Sequence, residues 1–220
     1  MSDRSDTPGR FPVYTKAEAA FRELRRRILD GTLEPGATID QEAIAASLGL
    51  SITPVREALR RLDTEGLVRL EAHRTVYVAP LAASEVRNLY AVRLRLDPYA
   101  AALAAGHADE DRLVEIEVLA GHVGGHTTRE RLSMNRRFHA LIYHSCGNGV
   151  LADLLDRLWD QTDRYRLLAL EDAVHERNAE REHQAIATAL RARDAARVET
   201  LMHAHIEATL RLVEERVDVR

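Results

Sequence analysis

The chain has 220 residues, of which 45% are hydrophobic and 30% are charged, and its formal net charge is −4. This composition is ordinary for a soluble globular protein, and no stretch approaches the roughly 18 consecutive apolar residues of a membrane span. The first residues lack the apolar core of a secretory signal, and the single cysteine, Cys146, excludes an internal disulfide framework. We therefore expect a cytoplasmic protein with no membrane partner.

The distribution of proline predicts where the chain divides. All six prolines lie in the first 98 residues, and the 122 residues that follow contain none. Because a proline inside a helix costs about 3 kcal/mol, the proline-free tract predicts an all-helical domain. The boundary is expected near Pro80, before a candidate helix cap at Ser84. We therefore predict a disordered tail over 1–12, a first domain over 13–80 and an all-helical bundle over 81–220.

The first domain begins with two predicted helices. Thr15 and Glu18 have the spacing of a capping box, which predicts a helix running to about Asp30. Asp40 is the expected N-cap of a shorter second helix, and Gly49 ends it.

A third helix and a β-hairpin complete this domain. A link over 50–53 leads to a helix with Pro54 in its first turn, where a missing N–H is tolerated. Two short apolar strands, 67–70 and 76–78, then flank a polar turn. The first domain is thus predicted as three helices plus a hairpin.

Two helices joined by a tight link, with basic residues near the start of the second, are typical of a helix-turn-helix. The second helix of that motif enters the major groove of DNA, and hydroxyls at its start suit phosphate oxygens. The charge of this part of the chain permits DNA binding, because residues 1–80 carry 12 basic and 12 acidic residues and are neutral overall. The alternative is a small helical module with a solvated basic face. The predicted DNA-contacting residues are Ser51, Thr53, Arg56 and Arg60 on the helix and His73 and Arg74 at the hairpin tip.

The order and register of several short segments resemble the winged helix of the GntR family over residues 15–80. They include Gly31-Thr-Leu-Glu-Pro-Gly36 and Thr53-Pro-Val-Arg-Glu-Ala-Leu59. The resemblance implies a winged helix-turn-helix that binds double-stranded operator DNA. Two positions depart from the family pattern: Ile52 replaces an arginine that reads guanine, and Thr75 replaces a glycine of the wing. Both departures affect which operator sequence the protein would recognise. At position 52, for example, isoleucine cannot pair with guanine and can touch only a thymine methyl.

Nine of the ten histidines lie beyond residue 80, and helical periodicity separates three of them from the others. His139, His183 and His205 each fall within an apolar stripe of steps of three and four residues, so each is predicted to point inward. His203 lies on the opposite face of its helix. The three stripes are 132, 135, 139, 142 and 146; 179, 183, 186 and 190; and 198, 201, 205, 208 and 212.

The inward histidines are predicted to meet. His183 and His205 each lie 11 residues from Asp194, the expected turn of an antiparallel hairpin, so they face each other. Asn135 and His139, one turn apart on a third helix, add two further ligands. A divalent transition metal would account for buried imidazoles. The alternative is three core histidines satisfied by hydrogen bonds.

Residues 84–217 are similar to the FCD effector domain of one branch of GntR regulators. The motifs that match are Asn135-x-x-Phe-His139, Glu182-His183 and Met202-x-x-His205. The resemblance implies a helical bundle that holds one divalent transition metal per subunit, zinc, with nickel or manganese as alternatives. Many relatives have aspartate at the position of Asn135, so the site of this chain is less negative.

The resemblance also implies a small carboxylate effector, and Arg93 matches a common pocket arginine of the branch; the alternative is a surface arginine on an amphipathic helix. We expect a homodimeric, ligand-responsive repressor on a palindromic operator. The alternatives are an acyl-CoA-sensing regulator without metal and a helical metalloenzyme. An enzyme is not predicted, because no inward carboxylate is expected beside the histidines to act as a general base.

Overall fold

The computed structural model describes residues 15–71, 75–121, 127–170 and 173–217. Buried apolar residues form two separate clusters, one drawn from residues 20–78 and one from residues 86–213. The predicted fold class, mainly α with an N-terminal winged helix and an all-helical bundle, is confirmed. Within the described ranges the elements are α1 Lys16–Leu29, α2 Gln41–Leu48, α3 Ile52–Thr64, β1 Val68–Leu70, β2 Val76–Val78, α4 Ala83–His107, α5 Glu110–Ala120, α6 Thr128–His144, α7 Gly149–Leu170, α8 Ala173–Arg191 and α9 Ala195–Val217.

The helices of the first cluster begin at side chains that bind their open N–H groups. The Thr15 hydroxyl accepts from the backbone N–H of Glu18 at 3.1 Å, as predicted for the start of α1. The Glu18 carboxylate itself accepts from Arg22 and Arg61. The third helix begins at Ile52, earlier than predicted, because extended Ser51 is its N-cap.

The N-cap of α2 gives a testable prediction about the stability of the protein. The Asp40 carboxylate accepts from the backbone N–H groups of Glu42 and Ala43, at 2.9 and 3.0 Å. Asp40→Ala is expected to lower the free energy of unfolding by about 1 kcal/mol, since both donors lose their partner. Urea denaturation followed by circular dichroism measures the change. Glu57→Ala, at an exposed site on α3, should stay within about 0.5 kcal/mol of the wild type.

The predicted hairpin forms and gains an additional edge. The strands β1 and β2 are antiparallel, with Val68 opposite Val78. Residues 37–39 lie along the other side of β2: Ile39 donates to Val76 O at 2.7 Å, and Val78 donates to Ala37 O at 2.9 Å. The sequence did not predict a strand here, because the segment is only three residues long. The tip residues His73 and Arg74, predicted to contact DNA, lie outside the described residues.

In the second cluster, α4 packs along α9 and against α7. Helix α4 begins after Ala82, so the expected cap, Ser84, lies in its first turn instead. Pro98 lies inside α4, a cost that its packing must offset. None of the helices in the described ranges combines the length and apolarity needed to cross a membrane.

Helix α7 contacts the first cluster as well as the second. The Arg164 guanidinium donates to Ala79 O at 2.8 Å, and Gln161 donates to Glu65 O at 3.4 Å. The Asp160 carboxylate also pairs with Arg25 of α1. Helix α7 therefore connects the helical bundle physically to the winged helix.

Candidate functional site

Three histidines from three helices meet in the interior of the bundle. The Nε2 atom of His205 lies 3.3 Å from Nε2 of His183 and 3.2 Å from Nε2 of His139. One ring nitrogen from each histidine lies within 4.8 Å of those of the other two, and all three residues are buried. The predicted meeting of these residues is confirmed. His203 is exposed, as its place on the opposite face required.

The buried face of α9 is rotated slightly from the predicted stripe. Met202 is fully buried, whereas Leu201, Ala208 and Leu212 are only partly buried. His205 lies on the predicted buried face of α9 and also on the observed one, so it points inward in both.

The hydrogen-bond partner of His205 fixes its tautomer. Nδ1 lies 2.7 Å from the Glu182 carboxylate, which can only accept when ionised, so Nδ1 carries the proton. With the proton on Nδ1, the neutral form of the ring presents a lone pair at Nε2, toward the other histidines. A carboxylate on the far nitrogen is the arrangement by which proteins orient metal-binding histidines.

His139 is oriented in the same way through a tyrosine. Its Nδ1 lies 3.1 Å from the Tyr143 hydroxyl, and that hydroxyl donates to Asp97 Oδ2 at 2.8 Å. Because the hydroxyl donates its proton to Asp97, the tyrosine oxygen accepts a hydrogen bond from Nδ1–H of His139. In the neutral ring, Nε2 of His139 therefore also presents a lone pair. Burial, followed by the charges of the other two histidines, holds the pKa of His139 well below its usual value.

Two imidazole lone pairs therefore face each other across 3.2 Å. Such an approach is repulsive unless a proton or a metal ion lies between the nitrogens. Tetrahedral zinc with Zn–N bonds of about 2.0–2.1 Å separates its nitrogen ligands by roughly 3.3 Å. The separations from His205 to the other two histidines are 3.2 and 3.3 Å, and the third pair lies within 4.8 Å. Three neutral imidazoles are also a suitable donor set for a divalent transition metal. The residues present thus fit such an ion.

Asn135, the fourth predicted ligand, is engaged by an arginine. It lies one turn before His139 on α6 and is half-buried. Its side-chain oxygen accepts from the Arg166 guanidinium of α7. The amide is therefore held at the α6–α7 contact beside the cluster.

Arg93 is buried, so the alternative of a surface arginine is wrong. Its guanidinium makes two bonds to Asp97 Oδ2, at 2.7 and 3.1 Å, and one to the Thr162 hydroxyl at 3.0 Å. It also lies 4.3 Å over the Trp159 ring. The structure thus places Arg93 at the site, with its charge already balanced by Asp97.

Sequence reasoning missed several residues around the histidines. Trp159 lies 4.6 Å from the His139 ring, centroid to centroid, and Arg166 lies 4.1 Å over the Trp159 ring. These residues belong to an inward stripe at 155, 159, 162 and 166 of α7. Asp97 follows Arg93, and Tyr143 follows His139, by one helical turn. The four-residue spacings could have identified all of them.

The expectation that no carboxylate lies beside the histidines is wrong. Glu182 bonds to His205, and Asp97 reaches His139 through Tyr143. Helical stripes could not find Glu182, because it is only half-buried and adjoins His183 in sequence. Both carboxylates are engaged by the bonds described above.

Ser51 and Thr53, predicted to contact DNA, lie at the start of α3, and Arg56 and Arg60 follow about one and two turns later. Ser51, Thr53 and Arg60 are exposed, and no side chain caps the helix, which leaves its first N–H groups open to a phosphate. Arg56 is half-buried, and its Nε donates to Gln41 of α2 at 3.2 Å. This bond places the guanidinium between the two helices of the motif.

Comparisons with known proteins agree with this architecture. The sequence pattern of the bacterial regulatory proteins of the gntR family matches residues 16–78, and that of the FCD domain matches residues 88–208. The chain is 30% identical over 213 residues to the uncharacterized HTH-type transcriptional regulator BphR of Paraburkholderia xenovorans, covering 92% of this chain and 87% of BphR. It is 26% identical over 207 residues to the HTH-type transcriptional repressor GlaR of Escherichia coli, covering 89% of this chain and 94% of GlaR. The solved structure of E. coli McbR/YncC has the same fold, with a TM-score of 0.79 at 22% identity over 92% of this chain and 99% of that one.

Proposed function

Because the chain belongs to the GntR family of DNA-binding transcriptional regulators and carries an FCD domain, we propose that it is a metal-dependent repressor controlled by a small carboxylate. The winged helix, proposed to span residues 13–80, binds the operator through Ser51, Thr53, Arg56 and Arg60. The helical domain, proposed to span 81–220, binds the effector. The relative GlaR is named a transcriptional repressor, which supports a repressor role for this chain.

The observation that carries the metal proposal is the approach of the His139 and His205 Nε2 atoms to 3.2 Å in the buried cluster. Together with His183 they would hold one divalent ion per subunit, zinc, with nickel or manganese as alternatives, and Asn135 would supply the fourth ligand. Glu182 and Tyr143 keep the two imidazoles in the binding tautomer. The ion would supply a positive charge that attracts an oxygen of the effector.

Helix α7 gives the effector a route to the DNA-binding helices. Arg166 lies at the histidine cluster, and Asp160 and Gln161, less than two turns earlier, contact Arg25 and Glu65 of the winged helix. An effector that binds one orientation of α7 better than another would shift the balance between DNA-binding states. Two chains are proposed to pair as a homodimer, so that their α3 helices reach the two halves of a palindromic operator. We place this regulator in the cytoplasm.

The function is tested by metal content and DNA retention together. Purified full-length protein should contain about one metal atom per chain by elemental analysis. An operator selected from a random DNA pool should be retained by the zinc-loaded protein and released, or bound more tightly, on addition of a carboxylate. Removing zinc with a chelator should abolish the carboxylate response. Metal-free protein that still responds would exclude the metal and favour an acyl-CoA-type regulator, and sustained turnover of the carboxylate would favour an enzyme.

A further inference from the structure

The winged helix and the helical bundle are joined by a short linker. Only residues 79–82 lie between the end of β2 and the start of α4. The backbone N–H of Ala79 donates to Leu67 O at 3.0 Å, which ties the first linker residue to the winged helix. The next residue is Pro80, whose ring fixes its φ at about −65°. Few backbone torsions are therefore left to set the angle between the two parts of the chain.

The carbonyl groups of the linker are bonded by an arginine of α7. Arg164 is 2% exposed, and its Nη1 donates to Ala79 O at 2.8 Å and to Pro80 O at 3.4 Å. Its Nη2 donates to the carboxylate of Glu85, in the first turn of α4, at 2.8 Å. Because a guanidinium is planar and always charged, it holds these acceptors in a fixed arrangement. One side chain thus binds both the linker and the helix that follows it.

Tyr165, the next residue of α7, adds a bond to the same linker. Its ring is fully buried, and its hydroxyl donates to Glu85 at 2.7 Å and accepts from the backbone N–H of Ala82 at 3.2 Å. Burial raises the pKa of Tyr165 to about 12, so the hydroxyl remains a donor near neutral pH. Two adjacent side chains of α7 therefore bind three backbone groups of a four-residue linker. We refer to Arg164, Tyr165 and Glu85 as the linker clamp.

The polar contacts described above between α7 and the winged helix itself are more accessible to water. The paired side chains of Arg25 and Asp160 are 25% and 20% exposed. Ion pairs that water and salt can reach contribute little to holding two elements together. The bond from Arg164 to the linker is buried and has a charged donor, which makes it the stronger kind of contact. The linker clamp is therefore the contact best suited to fix the orientation of the winged helix.

We propose that Arg164 is a positioning residue for operator binding: by holding the linker, it fixes the angle at which the helical bundle presents the winged helix to DNA. It acts through the linker and not through contact with DNA. The inference rests on the proposed homodimer, because the angle matters when two winged helices must reach the two halves of one operator. A dimer with loose linkers would accept half-sites at several separations.

The dependence of operator affinity on half-site spacing tests the proposal. The selected operator is compared with versions that carry one or two additional central base pairs, each of which moves a half-site by about 3.4 Å and turns it by roughly 35°. One added base pair should weaken binding of the wild type by about tenfold or more, and that of Arg164→Gln by less than about threefold. Both proteins should bind a single half-site equally, because α3 is unchanged. A loss of folded protein alone would not alter this ratio of affinities, since it lowers binding to every operator equally.

Two further variants complete the comparison. Tyr165→Phe keeps the buried ring and removes only the hydroxyl, so it should relax the spacing preference in the same direction. Arg157→Gln, at an exposed site of the same helix, should keep the wild-type preference. A wild-type preference in folded Arg164→Gln would overturn the inference. If Arg164→Gln fails to fold, Tyr165→Phe decides the result in the same way.

Analytical ultracentrifugation separates this failure from a failure of the proposed function. A monomeric wild type would refute the homodimer, and amide hydrogen exchange of residues 79–83 would then judge the linker clamp. Exchange there should be at least about tenfold faster in Arg164→Gln, and unchanged exchange would overturn the inference. A dimeric wild type that binds every spacing equally would also overturn it, because the angle would not be fixed. If the dimer distinguishes the spacings and the variants do so equally, the role of Arg164 fails alone.

Discussion

His139→Ala is expected to lower the affinity of the protein for zinc by about 100-fold or more. The substitution removes one of three imidazoles and leaves His205 Nε2 facing an empty space. Even the loss of an outer hydrogen-bond partner of a metal ligand typically weakens binding 10- to 100-fold, so the loss of a ligand should exceed that. Competition against a chelator of known affinity measures the change.

The same variant should lose the stabilisation that zinc gives. At a free zinc concentration about 100 times the dissociation constant, binding adds about 2.7 kcal/mol to the free energy of unfolding. Zinc should therefore raise the melting temperature of the wild type and leave that of His139→Ala nearly unchanged. His203→Ala is the matched control, because this exposed histidine lies on α9 only two residues from His205. Equal zinc affinity in His139→Ala and His203→Ala would exclude the proposed metal site.

Arg56→Ala is expected to lower operator affinity by about 100-fold or more. A bidentate arginine contact to guanine is worth about 1–3 kcal/mol, and a dimer loses two copies of it. The bond that Arg56 donates to Gln41 Oε1 holds the guanidinium at the junction of α2 and α3, so its position is set before DNA binds. Gel retardation on the selected operator at fixed salt measures the loss.

The control for this prediction must remove the same charge elsewhere. Arg137 is exposed on α6, far along the chain from the winged helix, and pairs with Glu115. Arg137→Ala should bind the operator like the wild type, since it contributes only to the overall charge. If Arg56→Ala retained full affinity while still folded, the recognition role would pass to Thr53 or Arg60.

Local rules predicted most elements of this protein. Thr15 and Asp40 cap helices because their side chains bind N–H groups a few residues away, and such bonds depend on sequence spacing alone. The same rules failed at Ser84 and at residues 37–39. Ser84 has the chemistry of a cap, but the helix begins before it. Residues 37–39 lie along β2 because of bonds to Val76 and Val78, which no local pattern contains.

The histidine cluster shows how far periodicity extends. The spacing on three helices was enough to place His139, His183 and His205 inside, and hairpin symmetry brought two of them together. Periodicity assigns a side chain to a face, but it does not say what the side chain meets there. The resemblance assigned Arg93 to the binding of a ligand carboxylate, and neither it nor periodicity predicted the bonds from Arg93 to Asp97 of the same helix.

By itself the sequence determined the order of the helices, the helix-turn-helix and the inward direction of the three histidines, since each depends on contacts within a few residues. Only the tertiary structure decided the protonated nitrogens of His139 and His205 and the contact of Arg166 with Asn135. Those properties depend on Glu182, Asp97 and Asn135, which packing brings from other helices. Charge and hydrogen bonding act across space, whereas helical periodicity acts along the chain.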